Sequence, residues 1–294
     1  MNSETGMEKA ALRATRHGLL FVSAATLLFS TSPVLARWAG LTLGPYETSF
    51  WRLAIAGFAV LTVATVRRER LPAPGDWPRF ALFGLITSLH FVFYIASLDY
   101  TTVAHSLAIV YTAPVFVALL SRLIYREQLS PRRWLGIGVV VAGVMLLAGF
   151  STDLDRRMLL GDLLAVGSAI TFALYSLAGR SQVKRYALFA YAGSVYLVGA
   201  IWTLPLALIT WSPEGYTAAA IWSLLGLALL PLGVGHTLYN AALRRTTTTV
   251  VNVVATQELT LGVLWGVLLL SEMPSLSSAT GALVMLIGTI LVIL

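Results

Sequence analysis

The sequence predicts an all-α integral membrane protein: ten transmembrane helices in two inverted-topology repeats of five, with the N- and C-termini cytoplasmic. Three observations carry that prediction. The 294 residues are 57% hydrophobic and only 11% charged, with mean hydropathy +0.81, whereas a soluble domain is about 25% charged. The apolar residues fall into long runs joined by short connections. The two halves of the chain also match each other in a nearly constant register.

A run of roughly 20 apolar residues crosses a bilayer as a helix. The spans read as 18–38, 45–66, 78–98, 101–123, 131–149, 160–181, 187–210, 217–242, 246–271 and 276–294. A helix satisfies its own backbone hydrogen bonds, as the hydrocarbon core demands. The runs are too long and too continuously apolar for the alternating strands of a spanning barrel. Residues 1–17 form a cytoplasmic segment, 18–149 the first five-helix repeat and 160–294 the second, with no soluble domain. The first run could pass for a signal peptide, with its basic head and "VLA", but its apolar core exceeds the 7 to 15 residues typical of such a region and reads as the first span. Cysteine is absent, which excludes disulfides, thiolate metal sites and cysteine catalysis.

Charge sets the orientation. With the N-terminus inside, every lysine and arginine except Arg37, Arg52, Arg156 and Arg157 falls on a cytoplasmic segment or at a cytoplasmic span end. This is the positive-inside pattern. The formal charge of +7 is then a solvated basic rim and needs no nucleic acid to explain it. Trp51, Trp202 and Trp222 near span ends are expected to be interface anchors.

A shift of 145 positions lays "YIASLDYTT" from Tyr94 onto "YNAALRRTT" from Tyr239, and the register holds to the end. Glu127 meets Glu272, Gly136 meets Gly281 and Gly143 meets Gly288. Five spans per half is an odd number, so the second half enters the membrane inverted. Inverted repeats are the architecture of secondary transporters, which bind solute near the midplane between the halves.

The stretch "YIASLDYTTVAHSLAIVYTAPVFVALLSRLIYREQLSPRRWLGIGVVVAGVMLL", echoed by "LLLSEMPSLSSATGALVMLIGTILVIL", resembles the drug/metabolite transporter superfamily, in particular its EamA-type ten-helix members. "SFWRLAIAG" also resembles that family at the arginine near the start of the second helix. The resemblance implies export of amino acids, drugs or other metabolites, with YddG-like aromatic amino-acid exporters the nearest branch. It further implies a multi-pass protein of the bacterial inner membrane. The sequence departs from the family at Leu259, where proline is usual, matching Pro114 in the fourth span.

Candidate site residues follow from helix faces. At 100° per residue, Thr249, Asn252, Thr256 and Thr260 form one polar stripe on the ninth span, facing either a neighbouring helix or a watered cavity. The matching positions of the fourth span, Ala104, Leu107, Tyr111 and Val115, are apolar with one tyrosine. A pocket between such walls suits a small amphipathic solute, such as a neutral or aromatic amino acid. His90 with Tyr94, and His236 with Tyr239 and Asn240, share faces of the third and eighth spans. Tyr175, Ser176, Ser30 and Gln257 are further candidates. No cationic residue lies in the central turns of the fourth and ninth spans, which disfavours phosphorylated solutes.

Glu258 lies on the same wheel opposite Thr256, beside Gly262 and Gly266. This reads as a packing face on which the acid is protonated or paired, as either a structural residue or a proton-coupling one, with Arg52 a possible partner. Glu127 and Glu272 sit at span ends, where capping or gate contacts are expected. Pro33 and Pro114 are hinge candidates, Pro205 and Pro231 weaker ones. HExxH, GxSxG and paired intramembrane aspartates are all missing, which argues against an enzyme, and no charge ring or carbonyl filter suggests a channel. The expectation is a monomer that binds a small molecule within the lipid bilayer, with no cofactor, no metal and no nucleic acid.

Overall fold

A computed structural model of the chain describes residues 2–98, 100–101, 103–148, 156–270 and 275–294. Its α-helices are α1 (Asn2–Phe29), α2 (Ser32–Ala39), α3 (Pro45–Val66), α4 (Trp77–Leu98), α5 (Val103–Val110), α6 (Ala113–Tyr125) and α7 (Pro131–Ala148) in the first half. The second half has α8 (Arg156–Ser181), α9 (Leu188–Ile209), α10 (Ala218–Leu227), α11 (Thr237–Leu243), α12 (Thr248–Ala255), α13 (Glu258–Leu270) and α14 (Leu276–Ile293). A π-helical stretch, Ala228–His236, joins α10 to α11. Among the described residues there is no strand. Nine helical stretches among them are long and apolar enough to cross a bilayer. The crossing predicted over 246–271 is made by α12 and α13 in succession.

Three predicted spans are interrupted. The first breaks at Ser30–Thr31, between α1 and α2, the fourth at Tyr111–Thr112 and the ninth at Thr256–Gln257. Proline stands in the first turn of α2 and of α6, where its missing N–H costs nothing to the new helix but ends the preceding one. The break before α13 forms without proline. The two breaks in the fourth and ninth spans occupy matching positions of the 145-residue register. In the eighth span, Pro231 sits inside the π stretch, where widened turns absorb the lost hydrogen bond.

The two halves interlock through antiparallel pairs. α7 crosses α14 so closely that Gly136 lies against Gly288 and Gly143 against Gly281, backbone to backbone. α3 pairs with α9, where Gly57 meets Leu197 and Gly193 meets Leu61. α4 packs along α8, and α1 along α11 and the π stretch. Small residues allow these approaches, which in a membrane supply the packing that water-driven association cannot.

Side-chain ties identify the two ends of the bundle. At the arginine-rich end Arg185 pairs with Asp76 at 2.6 Å, and Glu69 accepts from the Ala190 N–H at 2.8 Å. There Arg180 donates to the carbonyls of Leu243 and Thr246, capping the last turn of α11 as a cation does well. Arg132 donates to the Leu291 carbonyl, so α14 finishes at this end too. At the opposite end buried Glu47 accepts from the Tyr216 hydroxyl and the Ser212 N–H. Trp51, expected to anchor in the headgroups, instead donates its indole N–H to Tyr216 at 2.8 Å. Its polar atom is used by the protein rather than by the interface. Trp202 and Trp222 remain exposed on the outer surface.

Candidate functional site

Helix contacts between the halves are dense at the arginine-rich end and sparser at the other. On the arginine-rich side α6 packs against α12, both pack against α8, and α1 closes on α12. Every residue of α12 is buried. On the opposite side α5 leans on α8 and α7, while α13 contacts α1 and α14; no comparable contact joins α5 to α13 among the described residues. The break at Ser30–Thr31 lets α2 leave the centre and pack on α10.

Toward the sparser end four side chains lie near one another. Glu258 opens α13 and lies within electrostatic reach of Tyr111, at the break of the fourth span. Arg52 of α3 and Tyr94 of α4 lie within electrostatic reach of Glu258 and of each other. All four are only partly buried by surface area. The Arg52 guanidinium lies over the Phe91 ring, 4.5 Å from its centroid. It makes no hydrogen bond and no ion pair within 4.0 Å to any described residue, and its Nε is buried without a partner.

Gly262 corrects the packing face read from the sequence. The wheel is right that Glu258, Gly262 and Trp265 share a side of α13. A Cβ built on Gly262 meets nothing within 4 Å among the described residues, so no helix packs closely on this glycine. The indole N–H of Trp265 donates to Ser30 at 2.8 Å, tying α13 to the break in the first span. The polar stripe needs correction as well, because the break at Thr256–Gln257 ends the single helix it assumed. Thr249, Asn252 and Thr256 are buried in the closed half, and Thr260 instead donates to the Gln257 amide oxygen. Gln257 turns its amide nitrogen to Thr289 at 2.7 Å and to the Met285 carbonyl, both on α14.

Beneath Arg52 the remaining candidates form an aromatic and polar layer. Thr87, His90, Phe91, Tyr175, Tyr196, Leu232 and His236 line a narrow crevice. His90 Nδ1 lies 3.0 Å from the Ser168 hydroxyl. His236 packs 4.5 Å from Phe29, ring to ring, and its Nδ1 has no partner among the described residues. Asn240 donates to the Tyr175 hydroxyl at 2.7 Å and to the His236 carbonyl at 2.9 Å. Tyr239 meets Ser176 at 2.6 Å, and Asn252 donates back to the Thr248 carbonyl. The sequence reading left Phe29, Phe91, Phe172 and Tyr196 out of the site. Apolar runs contain many such residues, and nothing in one-dimensional spacing separates a cavity-lining ring from a lipid-facing one. Arg52 was legible as the one cation embedded in a span, although only as a partner of Glu258.

Several buried polar atoms of the closed half lack partners among the described residues: Thr248 Oγ1, Thr249 Oγ1, Ser121 Oγ, Asn240 Oδ1 and Glu127 Oε2. Such orphans are costly and uncommon in a folded interior. Glu272, Pro33's side chain, and those of Ala104, Leu107 and Gly266 lie outside the described ones. No group of His, Cys, Asp and Glu able to hold a metal occurs among the described residues.

Comparison with known proteins agrees with this architecture. Residues 16–149 and 159–294 each match the EamA-like transporter family. An uncharacterized transporter of Archaeoglobus fulgidus is 24% identical over 281 residues, covering 92% of this chain and 96% of that one. The uncharacterized transporter YdfC of Bacillus subtilis is 31% identical over 173 residues, 54% of this chain and 55% of its own. A solved crystal structure superposes with a TM-score of 0.81 at 20% identity, covering 93% of this chain and 95% of the other, which establishes a shared fold. With two matched repeats spanning nearly its whole length, the chain is a multi-pass membrane transporter, not an enzyme, and belongs to the EamA-like transporter family.

Proposed function

We propose that the protein exports small amphipathic metabolites, neutral and aromatic amino acids foremost, by alternating access between two inverted repeats whose termini are cytoplasmic. The observation that carries the reading is the asymmetry of the central space. One end is packed by α6, α12 and α8, while at the other, where Arg52, Tyr94, Tyr111 and Glu258 lie near one another, α5 and α13 make no comparable contact among the described residues. The unpartnered Ser121, Thr248 and Thr249 hydroxyls are those that would meet water or solute once the sealed half parts. The positive-inside pattern supports a cytoplasmic position for the sealed end, and on that reading the asymmetry is that of an outward-open state. In the inward-open state the aromatic layer of Phe91, Tyr175, His236 and Tyr239 would receive an apolar side chain, and His90, Asn240, Asn252, Thr256 and Gln257 the polar groups. Breaks at Ser30–Thr31, Tyr111–Thr112 and Thr256–Gln257 supply the joints, Pro33 and Pro114 fixing the first two.

Glu258 has the position expected of a proton-exchanging group, at membrane depth and facing the solute path. The test is counterflow of labelled amino acids by purified monomer in liposomes. Leucine, phenylalanine and tryptophan are expected to accumulate, Tyr111→Ala and Asn252→Ala to slow the flux, and Glu258→Gln to flatten its pH dependence. Unchanged flux in both alanine variants would remove these residues from the path.

A further inference from the structure

Arg52 is an unusual group to find at this depth. Its guanidinium is permanently charged, and a cation within a span is costly unless it is paired or watered. A structural arginine in such surroundings is held by an acid or by backbone carbonyls. This one has neither among the described residues: its Nε is buried without a partner, its other nitrogens make no hydrogen bond, and Glu258 stands off beyond 4.0 Å. Phe91 covers the guanidinium carbon at 4.5 Å, and a planar anion would bond the guanidinium through its N–H groups.

We propose that Arg52 is the carboxylate anchor of the solute site, a specificity-determining residue that selects solutes carrying a free α-carboxylate. This deepens the amino-acid reading above and rests on it. The arrangement matches a zwitterion in three respects. The carboxylate meets Arg52, the ammonium lies toward Glu258 and the Tyr94 and Tyr111 rings, and the side chain points down to Phe91, His90 and His236. The two protein charges sum to zero, as do those of the solute, so the filled site buries no net charge. A phosphate dianion would leave an excess negative charge against Glu258.

The experiment compares phenylalanine with phenylalaninamide, and leucine with leucinamide, in two readouts: counterflow in liposomes and thermal stabilisation of the detergent-solubilised protein. The acids are expected to be favoured over their amides by about tenfold or more, because the amide cannot form the charged bidentate contact. In Arg52→Gln that ratio should fall to near one, with Arg52→Lys between. Equal handling of acid and amide by the wild type would overturn the proposal whether or not the variants fold, and so would a ratio unchanged in Arg52→Gln. Acid-selective stabilisation without flux would overturn the transport reading while keeping the anchor. Loss of both would overturn both.

Discussion

Glu47, Trp51 and Tyr216 show how one polar group can be spent on holding the bundle rather than on solute. The Tyr216 hydroxyl receives the Trp51 indole N–H while donating to the Glu47 carboxylate, tying α3 to the connection between α9 and α10. Burial, together with that hydrogen bond to an acid, pushes the Tyr216 phenol up to about 12, against about 10 for a free tyrosine. A raised phenol binds its proton more tightly in the folded protein. Its contribution to stability is therefore complete below pH 10 and is lost as pH rises through 12. Absorbance titration at 295 nm of wild type minus Tyr216→Phe should show a single proton lost near pH 12; a loss near 10 would mean the contact is absent. The sequence marked Trp51 as a headgroup anchor because position along a span is all it displays. The partner that claims the indole lies 165 residues away. Glu258 was legible as an anomaly from the apolar run around it, and its neighbour Tyr111 as a site candidate. That the two meet depends on a helix break that removes the wheel used to judge them.

Helix breaks and helix seams were legible to different degrees. Proline announced the interruptions before α2 and α6, since its chemistry acts locally. The interruption before α13 carries no such mark. It is held by tertiary contacts, Gln257 reaching α14 and Thr260 bonding Gln257, which no local pattern records. Glycines posed the reverse problem: their sequence spacing suggested packing at Gly262 as readily as at Gly288, yet the surroundings differ completely. A Cβ at Gly288 would sit 2.6 Å from the Val140 nitrogen and 2.7 Å from the Gly136 carbonyl oxygen. Backbone cannot yield there, so Gly288→Val should force α7 and α14 apart and cost about 1 to 3 kcal/mol. Gly262→Ala meets only open space and should gain up to about 1 kcal/mol from helix propensity. Thermal unfolding in detergent would separate the two, with a lower midpoint for the first and an unchanged or higher one for the second. Equal losses would contradict the open surroundings assigned to Gly262.

Under the proposed alternating access, the interlocked halves would expose the same residues to either side in turn. Each antiparallel pair, α7 with α14 and α3 with α9, joins matching pieces of the two repeats, so a tilt that opens one end closes the other. The number of spans and the repeat were readable from hydropathy and register because bilayer thickness imposes both. Which end is open was not readable, because the two arrangements bury the same residues in different proportions. Single cysteines in this naturally cysteine-free chain test the central claim most directly: Gly262→Cys on the wall of the open half and Thr249→Cys in the sealed half, each challenged with a membrane-impermeant maleimide from one face at a time. The account predicts that Gly262→Cys reacts from the face opposite the arginine-rich end, that Thr249→Cys reacts from the arginine-rich face during turnover, and that in the double variant modifying either one leaves the other unreactive. Reaction of both positions from the same face, or simultaneously within one molecule, would contradict it.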